Sequence, residues 1–325
     1  MTALLDVKNL TVRFEVARGG GGFGKKKAYL HAVDDVSFSV KRGETLAIVG
    51  ESGSGKTTAA LAVARLVQAH SGEVNLDGQN ILPLEDEALR QMRQKVQFIF
   101  QDPYSSLNPR MRAQDIVVEP LNSLTTKGAA EKKEIVDGLF DAVGLRPEQQ
   151  RLFPHQFSGG QRQRIGIARA LATQPDLIIC DEPVSALDVA VQAQILNLLR
   201  KLQDDFGLTY LFISHDLSVV QHMSDSIAVM YMGKVVEHAD RRSLFGNPMH
   251  PYTQALLSAV PSVDKHRRAQ QKRILIPGDP PDPVNLPPGC RFANRCPIAE
   301  AQCKTAEPAL ANVQPSHATA CHLVR

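Results

Sequence analysis

The residues best placed to do chemistry are Gly50, Glu51, Ser52, Gly53, Ser54, Gly55, Lys56, Thr57 and Thr58, which read G-x-x-x-x-G-K-T-T. Their chemistry is anion binding. Glycines take positive φ without steric cost and turn successive backbone N–H groups toward one point. Lys56 brings a point charge suited to β- and γ-phosphates, and the Thr57 hydroxyl can ligate Mg²⁺. A second group lies far downstream. Asp181 and Glu182 close the apolar run at 176–180. Asp181 is placed to hold the metal, directly or through water, and Glu182 to orient or deprotonate a water for in-line attack on a γ-phosphorus. His215 closes the next apolar run, at 209–214, and suits a γ-phosphate switch. The Gln101 carbonyl oxygen can bind Mg²⁺ or water.

These residues need a scaffold, and the pattern around them supplies one. An apolar run at 46–49 leads into the glycine loop, and an alanine- and leucine-rich helix follows at 59–67. That strand–loop–helix context is the one a phosphate loop requires, because the helix N-terminus adds its dipole and unpaired donors. Further strands are expected at 3–16 (an edge strand), 32–40, 72–76, 96–100, 176–181, 209–215, 226–231 and 234–237, with helices at 84–95 and 190–205. Strands alternating with helices predict an α/β fold: a mainly parallel sheet covered on both faces, with antiparallel strands at one side. The stretch 113–153 reads as a helical insertion punctuated by Gly128 and Gly144. After it, Phe157, Ser158, Gly159, Gly160 and Gln161 open another helix, with Ser158 as its N-cap. That helix end offers donors to an anion its own motif does not contain. Tyr29 stands just before the second strand, suited to stacking on a purine or to plain packing.

Gly19–Gly22 and Lys25–Lys27 read as a flexible basic loop. The character changes near Gly246, where a domain boundary is expected; a basic linker at 265–273 and an irregular proline-rich stretch at 277–288 follow. At 325 residues, 43% hydrophobic and 22% charged, the chain has room for one large domain and a smaller one. A formal charge of +3 is too small to argue for a nucleic-acid partner. No run of eighteen apolar residues and no basic, apolar leader is present, so a cytoplasmic location is expected.

The motifs together resemble the nucleotide-binding subunits of ATP-binding-cassette (ABC) transporters. In the family's order stand a Walker A loop at 50–57, a Q-loop at Gln101, a Phe-Ser-Gly-Gly-Gln signature at 157–161, Walker B ending at Asp181–Glu182, a D-loop ending at Asp188 and a switch at His215. The resemblance implies a RecA-like P-loop NTPase core with an antiparallel β subdomain, a helical subdomain at about 102–172 and a domain at 1–245 followed by a C-terminal extension at 246–325. It implies ATP and Mg²⁺ held by Thr57, Gln101 and Asp181, and a head-to-tail dimer whose signature and Asp188 complete the partner's ATP site. Phe157 departs from the family's commoner Leu. Residues 100–110, the run His250-Pro-Tyr-Thr-Gln-Ala-Leu-Leu257 and the run Pro288-Gly-Cys-Arg-Phe-Ala-Asn-Arg-Cys-Pro-Ile298 narrow the resemblance to oligopeptide and dipeptide importer ATPases. The partners implied are a second, paralogous ATPase, two permeases and an extracytoplasmic binding protein, at the inner face of the cell membrane, with nickel and glutathione importers or a non-transport ABC ATPase as alternatives.

Cys290, Cys296, Cys303 and Cys321 run C-x5-C-x6-C-x17-C. Such thiolates suit a [4Fe–4S] cluster, as some relatives in the peptide importer group carry. Zinc and plain reduced thiols are the alternatives.

Overall fold

The computed structural model describes residues 3–17, 27–260 and 274–324. The glycine run at 19–22, Lys25, Lys26 and the basic stretch at 265–273 lie outside them. The chain forms β1 (Ala3–Ala17), β2 (Lys27–Lys41), β3 (Thr45–Val49), α1 (Lys56–Val63), β4 (Ser71–Leu76), β5 (Gln79–Asn80), α2 (Asp86–Lys95) and β6 (Val96–Ile99). Then come α3 (Ala113–Leu124), α4 (Ala129–Ala142), α5 (Gly159–Leu171), β7 (Leu177–Asp181), α6 (Val189–Phe206), β8 (Thr209–Ser214) and α7 (Leu217–Met223). The last elements are β9 (Ser226–Tyr231), β10 (Lys234–Asp240), α8 (Arg241–Gly246), α9 (Pro251–Ser258), α10 (Ala301–Thr305), β11 (Ala311–Gln314) and β12 (His317–Thr319). Contacts divide these elements into two units, one built mainly from Asn75–Ile213 and the other from Asp6–Ser39, Leu46–Val74 and Ser214–Arg325.

In the first unit β6, β7 and β8 run parallel, with Ile99 opposite Cys180 and Cys180 opposite Phe212. Every residue of β7 and β8 is buried. That is why both read as unbroken apolar runs, the mark of strands covered on two faces. Helices α3, α4 and α5 pack on one another within this unit. Helix α6 shows how its sequence sets both ends. Asp188 caps its start by accepting the Val191 N–H at 3.0 Å, and Gly207, at φ 64°, ends it in the left-handed conformation that glycine takes freely. Between those caps Ile195, Leu199 and Leu202 fall on one face and are buried.

In the second unit β3 pairs parallel with β9, and β9 turns back into β10 through Met232 and Gly233, both at positive φ. β1 lies between β2 and β4, so it is an interior strand rather than the expected edge strand. Its partial alternation records one covered face, which an interior strand shows as readily as an edge. The expected proline-rich irregularity at 277–288 contains no helix or strand. Beyond it, β12 pairs antiparallel with β10 and β11 with β12, two short strands that the sequence reading did not anticipate.

A core of Val49, Ile227, Val229, Tyr231, Tyr252 and Phe292 joins these strands to α9 and to the loop before α10. The rings of Tyr231, Tyr252 and Phe292 lie within 5.4 Å of one another, centroid to centroid, at tilted and edge-on angles favourable to aromatic pairs. Beside this core sits Glu237, 0% exposed. Its carboxylate accepts the N–H groups of Met249 at 2.7 Å and His250 at 2.9 Å, and meets His317 Nε2 at 2.7 Å. One buried acid therefore ties β10, the start of α9 and β12 together. His250 is itself buried, which lowers its pKa to about 4 and keeps the ring neutral so that Nδ1 accepts the Tyr252 N–H. Glu237→Ala leaves two buried N–H donors and His317 without their acceptor. It should cost about 3–5 kcal/mol in chemical denaturation of the purified protein; a loss below about 1 kcal/mol would refute the clamp.

Candidate functional site

The phosphate loop belongs to the second unit. It leaves the fully buried β3 and enters α1, whose N-cap is Gly55 at φ 99°. The glycines are obligatory here: a Cβ on Gly50 would lie 2.1 Å from the Met230 carbonyl oxygen, and one on Gly55 would lie 2.1 Å from that of Ala32. No acid stands in the first turn of α1, so nothing there repels an incoming anion. Lys56 is 5% exposed, and its ammonium donates to the carbonyl oxygens of Gly50 at 2.8 Å and Glu51 at 2.9 Å. The Ser54 hydroxyl is buried with no hydrogen-bond partner among the described residues. A cradle of glycine amides, a lysine and an orphaned hydroxyl fits a phosphate group.

Thr57 is exposed in the first turn of α1 and Thr58 half-buried, while Ser52 and Gly53 lie exposed on the loop. Tyr29 lies within β2 rather than before it, 43% exposed. His215 follows β8 directly and is exposed, ahead of α7, which Asp216 caps by accepting the Ser218 N–H at 2.8 Å.

Neighbours of the loop come from far along the chain. The Glu51 N–H donates to the Tyr252 hydroxyl at 2.8 Å. Arg295 forks onto the Glu51 carboxylate at 2.9 and 3.4 Å and also donates to the Tyr231 hydroxyl at 3.2 Å. The sequence reading met Tyr252 and Arg295 only inside importer-like segments and gave neither of them, nor Tyr231, a role at this loop. The separations from Glu51, 201 residues to Tyr252 and 244 to Arg295, leave no local signal.

Gln101, Asp181, Glu182, Asp188 and the serine–glycine motif belong to the first unit. Asp181 ends β7 with 5% exposure. Glu182 turns off the strand at φ 45°, a left-handed conformation costly for a residue with a Cβ. This turn breaks the alternation that would send adjacent side chains to opposite faces. Gln101 Nε2 donates to Glu182 Oε2 at 2.8 Å, so the residue expected to sense the metal touches the residue expected to act as base.

Ser158 caps α5. Its hydroxyl accepts the Gln161 N–H at 3.3 Å while the Gln161 side chain accepts the Ser158 N–H at 3.0 Å, a reciprocal capping box. Phe157 is buried and Ser158 exposed. A Cβ on Gly160 would lie 2.5 Å from Val191 Cγ1, so this glycine lets α5 and α6 approach closely as well as freeing the helix end.

The cysteines do not form the expected centre. Among the described residues no group of three or more His, Cys, Asp or Glu side chains is set to hold a metal ion. All four are free, and burial pushes the Cys290 thiol up to about 11 and raises that of Cys296. Neither iron–sulfur nor zinc finds support here. Cys180 is buried in β7, as its apolar surroundings predict.

The ABC transporter family profile matches residues 33–185, and that of the oligopeptide/dipeptide transporter C-terminal region matches 236–303. The chain is 50% identical to the oligopeptide transport ATP-binding protein AppF of Bacillus subtilis, over 98% of this chain and 97% of that one. Among solved structures, the ATP-binding cassette MJ0796, a dimer in a post-hydrolysis state bound to ADP and Pi, is 30% identical with a TM-score of 0.63. That match covers 73% of this chain and 99% of the cassette. The structure of cbiO1 from Clostridium perfringens, part of the transporter complex cbiONQ, is 26% identical with a TM-score of 0.64, over 75% of this chain and 91% of that one.

Proposed function

The chain belongs to the ATP-binding proteins of ABC transporters, and from that premise we propose that it is the ATP-hydrolysing, energy-coupling subunit of a membrane importer for di- and oligopeptides. The fold is that of a P-loop cassette, with parallel strands, antiparallel strands and packed helices. One observation carries the peptide assignment. Similarity to an oligopeptide transport protein runs nearly the full length of the chain, including the 236–303 region outside the cassette.

In this reading Lys56 and the amides of residues 50–58 bind the ATP phosphates, with Tyr29 against the purine. Thr57, Gln101 and Asp181 would hold Mg²⁺, which when bound neutralises charge on the β- and γ-phosphate oxygens. Glu182 takes a proton from the attacking water, Gln101 fixes the orientation of that carboxylate, and His215 holds the water in line. Residues 157–161 and Asp188 serve the ATP of a partner cassette, where the capped start of α5 presents donors to the γ-phosphate. Residues 102–172 act as the helical subdomain that meets a permease. The division near Gly246 then separates the cassette from an extension that packs in the same unit as the phosphate loop.

Permeases are partners in any ABC transporter. We assign the finer composition as two permeases, a paralogous second ATPase and an extracytoplasmic binding protein. No described helix is long and apolar enough to cross a membrane, which agrees with peripheral attachment to the permeases at the inner face. The test is reconstitution of the assembled transporter in proteoliposomes. Peptide-loaded binding protein should raise ATP turnover and labelled dipeptide should accumulate. Accumulation of nickel or glutathione without peptide would replace the peptide assignment.

A further inference from the structure

Glu51 is held at each of its polar positions. Tyr252 takes its N–H, Lys56 takes its carbonyl oxygen, and Arg295 takes both carboxylate oxygens. Arg295 is itself fixed. Its side chain is 8% exposed, its guanidinium lies over the Tyr231 ring at 5.8 Å, and Nε donates to the Pro277 carbonyl at 3.4 Å. Four residues earlier, Arg291 binds the Met232 carbonyl and the Asp34 carboxylate. The turn it holds gives the Gly233 N–H to the Ser54 carbonyl at 2.9 Å. The short loop 291–295 thus grips the phosphate loop directly at Glu51 and, through the β9–β10 turn, at Ser54.

The contacts of Lys56 differ in kind from the others. Lys56 must share its three donors between the loop carbonyls and an incoming phosphate, whereas Tyr252 and Arg295 hold Glu51 itself. The shape of the loop then depends on what Tyr252 and Arg295 supply. A two-pronged guanidinium–carboxylate pair with the arginine buried is the strongest of these holds.

We propose that Arg295 is a positioning residue for ATP. Through its fork on Glu51, the C-terminal extension holds the phosphate loop in the shape that binds nucleotide, and so sets the cassette's ATP affinity. This rests on the reading of residues 50–58 as the ATP site.

The test uses the assembled transporter with a fluorescent ATP analogue and steady-state turnover. Arg295→Ala should weaken nucleotide binding and raise the KM for ATP about tenfold, with a smaller change in kcat. Arg295→Lys keeps the charge but not the fork and should fall between wild type and Arg295→Ala. In a Glu51→Ala background, Arg295→Ala should weaken binding no further, because the group it grips is already gone. Should Arg295→Ala prevent assembly, Arg295→Lys and Tyr252→Phe, which removes only the hydroxyl, carry the same comparison. Unchanged affinity in these variants, or losses that multiply in the double variant, would overturn the proposal and leave the ATP site intact. Failure of the wild-type complex to bind the analogue would overturn both.

Discussion

Glu182→Gln should lower ATP turnover by roughly 10²- to 10⁴-fold, the range a positioned general base contributes. The amide is the same size as the carboxylate, and its oxygen can still accept from Gln101 Nε2, so the 2.8 Å contact need not break. The φ of 45° at this residue is set by the backbone turn after β7, not by the charge. Local shape is therefore kept and proton acceptance alone is lost. ATP binding should survive, and the variant should accumulate as the closed, nucleotide-loaded pair of cassettes. Steady-state phosphate release and ATP-dependent change in hydrodynamic size measure the two effects separately. Turnover near the wild-type rate would remove Glu182 from the role of base.

Lys56→Ala should fail at the other end of the cycle, weakening ATP binding by about 100-fold. Charge-assisted hydrogen bonds contribute about 1.5–3 kcal/mol each, and a lysine serving two phosphates makes more than one. Lys56→Arg should not restore binding. The ammonium sits 5% exposed between the Gly50 and Glu51 carbonyls, a space matched to a compact point charge and not to a planar fork. Equilibrium binding of ATP to the two Lys56 variants, set beside Glu182→Gln, separates loss of binding from loss of chemistry. Tight binding by Lys56→Ala would refute the phosphate assignment of the loop.

What could be read from the sequence was local. The glycine–lysine array, the Ser158 N-cap and the unbroken apolar runs of β7 and β8 each carry their physics within about ten residues. The structure keeps them where pattern and spacing put them. Three things were hidden because their causes lie elsewhere in the chain. β1 reads as an edge because alternation reports which face is covered, not how many neighbours a strand has. β11 and β12 are too short, at four and three residues, to show a period; β12 forms on the edge that β10 offers, and β11 on β12. Gly160 reads as a phosphate-motif glycine, while its closest constraint is the Val191 side chain on α6. The cysteine spacing suggested a metal centre because spacing alone does not say whether four sulfurs converge on one ion, and among the described residues no such group is set.

The pairing of β3 with β9, of β10 with β12 and of Glu51 with Arg295 also bears on how the polypeptide emerges from the ribosome. Residues 46–58 leave the exit tunnel early, yet β9 is made some 180 residues later, and Arg295 and β12 later still. Such distant closures are slow and leave strand edges uncovered meanwhile. The nascent chain therefore cannot close these pairings until residues 291–319 are translated. Translation stalled before residue 295 would leave a cassette whose phosphate loop lacks its far anchor.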